Sequence, residues 1–147
     1  DSGYNTRDTY KVAEQLISQL NLNIFVYTPA VSAARCDHAL GGIPTTDDPR
    51  HQQFTQQFKL EPFNRALKEQ AADLWLTAVR REQTEFRKAM STIEAGPNNM
   101  IKVAPLLDWT QSDMQRYLQQ HNLPNISNYF DPTKGDIKRE CGLHTQL

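Results

Sequence analysis

The chain has 147 residues, with 38% hydrophobic and 22% charged positions and a formal net charge of −1. That length suffices for one domain with its own core, and the near-neutral charge excludes a generally basic nucleic-acid-binding surface, so any anion site must be local. No apolar run approaches the roughly 20 residues of a membrane span and no signal-peptide pattern is present, so neither a membrane nor nucleic acid is an expected partner.

Asp1-Ser2-Gly3-Tyr4 has turn chemistry, and because the chain opens on Asp inside what reads as a motif, it is expected to be incomplete or processed. Thr6 is placed to cap a helix on which Tyr10, Ala13, Leu16, Ile17 and Leu20 form an apolar stripe, expected to pack in the core. Asn-Ile-Phe-Val-Tyr at 23–27, closed by Pro29, predicts a strand, and helix followed by strand points to a parallel sheet. Ser32 starts a short helix through Cys36 to Leu40. The loop from Gly41 to Pro49 is dense in turn formers and is expected at the active-site face, with a polar helix following from Arg50 to Phe58. Pro62 suits the first turn of a helix, so Lys59 is expected just before a helix N-terminus, either as an anion-binding cation joined by free backbone N–H groups or as an ordinary solvated lysine.

Residues 72–79 predict a buried strand followed directly by Arg80 and Arg81. At the C-terminal end of a parallel strand this pair faces the crevice where open α/β sheets bind ligands, and it either grips phosphate or sulfate or is a solvated turn. A charged loop or helix over 85–93 and a turn at Gly96-Pro97 lead to another apolar strand over 100–107, ended by Asp108 and Trp109, the latter expected to pack. Thr110 caps a helix to His121 with Met114 and Leu118 inward. Residues 123–147 form an irregular arm, and the whole chain is expected to be a single α/β domain, with a mostly parallel sheet and helices on both faces.

The arm carries Lys138-Arg139-Glu140-Cys141-Gly142-Leu143-His144. Neighbouring cations lower a thiol pKa and raise the reactive thiolate fraction, so Cys141 is either a nucleophile or a plain surface cysteine in a charged tail. The other cysteine, Cys36, lies far away, and no Cys-x-x-Cys or adjacent pair exists. Ligand spacing for a metal or an iron–sulfur cluster is therefore lacking, and a cytoplasmic protein with one working thiol is expected.

Four stretches resemble, in order, motifs of the phosphoadenosine phosphosulfate (PAPS) reductases: Asp1-Ser2-Gly3-Tyr4, Lys59-Leu60-Glu61-Pro62, Arg80-Arg81-Glu82-Gln83-Thr84 and Arg139-Glu140-Cys141-Gly142-Leu143-His144. The resemblance implies a fold like that of the adenine-nucleotide α-hydrolases. It also implies reduction of PAPS to sulfite and adenosine 3′,5′-bisphosphate, as in assimilation of sulfate. Asp1 and Gly3 would lie at the nucleotide, Lys59, Arg80 and Arg81 would hold phosphosulfate and phosphates, and Cys141 would attack the terminal sulfur. Arg139 and His144 would tune Cys141 and touch substrate, and a thiol of thioredoxin or glutaredoxin would release sulfite from the sulfonated cysteine. A homodimer is implied as well.

Ala78 and Thr84 stand where the family has glycine and serine. The branch acting on adenosine phosphosulfate (APS) has an adjacent cysteine pair just before the lysine, whereas this chain has Gln56-Gln57-Phe58, so no bound iron–sulfur cluster is expected. The family's first strand and Ser-Gly-rich phosphate loop have no counterpart here, and an arginine-bearing segment before the cysteine is shorter, with Lys134 and Lys138 as candidate replacements. An APS reductase and a catalytically silent nucleotide-binding module are the alternatives.

Overall fold

The computed structural model describes residues 1–126 and 129–134. Helix α1 spans Arg7–Leu20 and α2 spans Ala33–Leu40. Each begins at a hydroxyl cap read from the sequence, with Thr6 accepting from the Thr9 N–H at 3.3 Å and Ser32 from the Arg35 N–H at 3.2 Å. Gly41 ends α2 at φ 79°, a left-handed conformation that costs glycine little.

The stretch 50–70 is one continuous helical rod: α3 (Arg50–Thr55), a π-helical turn (Gln56–Leu60) and α4 (Glu61–Gln70). Pro62 has no N–H to offer the turn before it, and the rod widens there, with the Glu61 N–H reaching five residues back to the Gln56 carbonyl. Lys59 thus sits inside the widened turn. The expected helix start after Lys59 is not formed, and no free N-terminal amides stand beside its ammonium.

Among the described residues the sheet has three short strands, β1 (Leu74–Leu76), β2 (Ile93–Ala95) and β3 (Ile101–Val103), in the order β1-β3-β2. β1 pairs parallel to β3, while β2 pairs antiparallel to it, so the sheet is mixed. The antiparallel pair follows from the 3₁₀ turn Pro97–Asn99, which folds β2 straight back onto β3. Residues 23–27 form no strand among the described residues, and Phe25 and Val26 are 61% and 68% exposed. Strand propensity is realised only where a partner ladder exists, and none of the described strands flanks this stretch.

One face of the sheet presents Trp75, Lys102 and Glu94, paired across the strands, with Trp75 packed on Phe63 of α4 at 5.0 Å between ring centroids. The other face carries Leu74, Leu76, Ile93 and Ile101, all 48–66% exposed, so the 72–79 segment is not the buried strand its composition predicts. The α1 stripe forms as well, yet no residue of α1 is buried. Two small cores do the packing. Val79, Met90, Ala104 and Leu107 close over the strand ends, and Cys36, Phe54 and Phe58 close over the rod, with Tyr4, Leu40 and Ile43 against them. Helix α6 (Gln111–Gln120) starts at the capping box of Thr110 and Asp113, with Trp109 packed edge-on to Tyr117 at 5.4 Å. Among the described residues, no helix is long and apolar enough to cross a membrane.

Candidate active site

Past the C-terminal ends of the parallel pair β1 and β3 lies a cleft of about 390 Å³. Arg80, Glu82, Gln83, Thr84 and Arg87 line one wall, and Tyr129, Phe130, Asp131 and Lys134 of the arm line the other. Val79 and Leu107 of the buried cluster fix the first wall from below, and the Arg81 N–H donates to the Leu107 carbonyl at 2.8 Å.

The two adjacent arginines divide the work. Arg80, whose side chain is 12% exposed, points into the cleft and donates to Gln111 Oε1 at 2.7 Å and Glu82 Oε1 at 3.2 Å. Arg81 turns back into the scaffold: Nε donates to Asp108 Oδ1 at 2.6 Å, and Nη1 donates to the carbonyls of Lys88 and Met90. It ties the 3₁₀ turn Arg81–Gln83 to helix α5 (Glu85–Lys88) and to the end of the β3 segment.

Lys59 does not itself line the cleft but holds its far wall through Asp131. Its Nζ lies 2.7 Å from Asp131 Oδ2, with side chains 10% and 27% exposed. The other Asp131 oxygen accepts from the Thr133 N–H at 3.0 Å and the Thr133 hydroxyl at 2.7 Å, and Thr133 is buried. Burial pushes the Asp131 carboxyl upward, but the hydrogen bonds from Lys59 and Thr133 and the lysine charge outweigh it, leaving the group below its ordinary range. Asp131 is a polar contributor that its sequence context did not single out; the only local signal is the Asp-Pro-Thr order, which favours a side-chain-closed turn.

Asp1 and Gly3 do not line this cleft. Asp1 Oδ1 instead accepts from the Gly3 N–H, the Asn5 amide and the Tyr10 hydroxyl, at 2.9, 3.0 and 2.9 Å, organising the first turn. Gly3 adopts φ 78°, and a Cβ there would meet Ala33 Cβ at 3.3 Å, so the turn requires glycine on two counts. The turn still connects to the lysine: Tyr4 packs on Phe58, next to Lys59, at 5.5 Å. The 41–49 loop stays away from the cleft, pinned by buried His51, whose Nδ1 lies 2.7 Å from the Pro44 carbonyl. Cys36 is buried in the aromatic cluster. No described group of three or more His, Cys, Asp or Glu side chains is placed to hold a metal. Cys141, Arg139, His144 and Lys138 lie outside the described residues.

Residues 1–131 match the phosphoadenosine phosphosulfate reductase domain. The chain is 34% identical to a phosphoadenosine 5′-phosphosulfate reductase of Synechocystis sp., aligning over 100% of its own length and 68% of the relative's. It is 35% identical to the protein of that name from Alkalilimnicola ehrlichii, over 98% and 67%. The chain belongs to the phosphoadenosine phosphosulfate reductase family. Its named relatives are oxidoreductases, and they are longer: this chain spans about two-thirds of each of those two. The fold agrees as well. The crystal structure of the PAPS reductase from Candida auris, in a phosphate complex, superposes with a TM-score of 0.67 at 22% identity, covering 82% of this chain and 58% of the other. The α/β reading thus stands, with a mixed sheet among the described residues in place of a mostly parallel one.

Proposed function

We propose that this chain forms the greater part of a thiol-dependent PAPS reductase, in which the cleft between Arg80 and Asp131 receives the anionic end of the nucleotide. One observation supports this above the others. A family arginine, Arg80, lines the cleft beyond the ends of parallel strands, and a family lysine distant in sequence, Lys59, is bound to Asp131 of the opposite wall. Lys59 and Arg80 would offset the phosphosulfate charge that otherwise repels a thiolate. Arg87 and Lys134 add charge to the same walls.

In this reading Cys141, carried on the 123–147 arm with Arg139 and His144 beside it, attacks the terminal sulfur of PAPS as the thiolate. The sulfur–oxygen bond breaks, adenosine 3′,5′-bisphosphate leaves with the electron pair, and a cysteine S-sulfonate forms. A thioredoxin or glutaredoxin thiolate then attacks the Cys141 sulfur and expels sulfite. The resulting mixed disulfide is resolved by the reductant's second thiol, so the two electrons come from the reductant. No iron–sulfur cluster takes part. Asp1 and Gly3 act by shaping the first turn beside the nucleotide, Arg81 by holding the Arg80 wall, and the working unit is a cytoplasmic homodimer.

The test is sulfite release by the full-length protein with thioredoxin, given PAPS or APS. Release from PAPS, falling about 10²–10³-fold in kcat/KM for Lys59→Ala and Arg80→Ala, is expected. Release from APS alone, with iron and labile sulfide in the purified protein, would make it an APS reductase. Tight nucleotide binding without sulfite would leave the silent module.

A further inference from the structure

We infer that Asp131 is a built-in counter-anion, which an incoming sulfate- or phosphate-type group must displace from Lys59, and that occupancy of the cleft is thereby transmitted to the 129–134 arm. The inference rests on the proposed role of Lys59 as an anion-binding residue.

Among the described residues, Asp131 is the hydrogen-bonding partner of the Lys59 ammonium, at 2.7 Å. The ammonium belongs to a side chain only 10% exposed, so little of its surface is left for a second anion while the carboxylate stays. A carboxylate and a sulfonate or phosphate oxygen compete for a lysine with the same chemistry, point-charge attraction plus an N–H···O⁻ hydrogen bond. Asp131 also stands on the cleft wall, facing the arginine side, where it opposes any anion that Arg80 attracts.

What Asp131 holds besides Lys59 gives the contact its reach. Its second oxygen closes the turn onto Thr133, and its carbonyl accepts from the Lys134 N–H at 3.1 Å. Tyr129, Phe130 and Lys134 of the same short stretch line the cleft. When an anion takes the ammonium, the carboxylate loses its cation and the Asp131–Thr133 turn loses the tie that anchors it to the rod at Lys59. The 129–134 stretch is then released from the rod in response to ligand, a two-state element biased by differential contacts.

The experiment uses the full-length protein and two probes, inorganic phosphate and adenosine 3′,5′-bisphosphate. Binding is measured for wild type, Lys59→Ala and Asp131→Asn, with amide hydrogen exchange at Thr133 and Lys134 followed in wild type. The inference predicts that Asp131→Asn binds both probes at least fivefold tighter, and that either probe speeds exchange at those two amides in wild type. Equal or weaker binding by Asp131→Asn, with exchange unchanged or slowed, would overturn it and make Asp131 a fixed support for Lys59. The exchange arm stands even if the variant folds poorly. Binding that Lys59→Ala leaves unaltered would remove the Lys59 role, a failure of the underlying reading visible separately from the Asp131 result.

Discussion

Replacing Glu94 by Gln tests the physics of the sheet that carries the cleft. Lys102, on the central strand, is only 4% exposed, and its Nζ lies 3.4 Å from Glu94 Oε2 and 5.5 Å from the Trp75 ring centroid. At an effective dielectric of about 20, two unit charges at that separation attract by about 5 kcal/mol before desolvation is counted. Glu94 is 30% exposed, so screening takes part of this, while a neutral glutamine keeps one oxygen, for either the lysine or the Ser91 N–H, and turns its NH2 toward the other donor. Glu94→Gln is therefore expected to cost about 2–3 kcal/mol, because a buried ammonium is left without a counter-charge. Lys102→Met keeps the methylene packing on Trp75 and strands only a partly hydrated carboxylate, so it should cost less than about 1 kcal/mol or be neutral. Denaturant unfolding of both variants gives the comparison, with a melting temperature about 6–10 °C lower for Glu94→Gln. If Lys102→Met proved the more damaging of the two, the pair would be stabilising by itself and the reasoning would fail.

Phe54, 2% exposed and stacked on Phe58 at 4.7 Å, should cost about 3–5 kcal/mol when cut to Ala, read in the same unfolding assay; a loss under 1 kcal/mol would deny that this cluster is a core. Ala71 caps α4 at φ 45°, a left-handed strain that glycine relieves, so Ala71→Gly should raise stability by about 0.5–1 kcal/mol despite its greater unfolded-state freedom. Burial, with the hydrogen bond the hydroxyl donates to Asp37 and the nearby Cys36 thiol, pushes the Tyr4 hydroxyl well above its ordinary range. The group then stays protonated in the fold while the unfolded chain ionises near pH 10. Its contribution is complete below that pH and lost above it, and Tyr4→Phe should flatten the alkaline fall in stability between about pH 10 and 11.5. An unchanged alkaline slope in that variant would place the titration elsewhere.

Local signals carried well into the structure where a single side chain decides the outcome. Thr6, Ser32 and Thr110 each cap the helix their hydroxyl was read to start, and Arg80 stands beyond the end of a parallel strand. What stayed illegible depends on partners. The 23–27 stretch has strand composition without a ladder, whereas Ile93–Ala95, with a glutamate at its centre, becomes a strand because Gly96 and Pro97 turn it back onto β3. Pro62 was a fair signal of a helix start, yet a π-helical turn absorbs the missing N–H and the rod continues. The division between Arg80 and Arg81 is set by Asp108 and two carbonyls, contacts outside the motif that leave no trace in it. Lys102, within the 100–107 run expected to be an apolar strand, is the inward charge of the covered face.

Whether this family member works through a sulfonated cysteine is read directly by intact-mass spectrometry. The full-length protein is incubated with PAPS in the absence of any reductant. A gain of one sulfonate on Cys141, removed by reduced thioredoxin with stoichiometric sulfite, is the predicted result. A folded, nucleotide-binding protein that gains no such mass would contradict it.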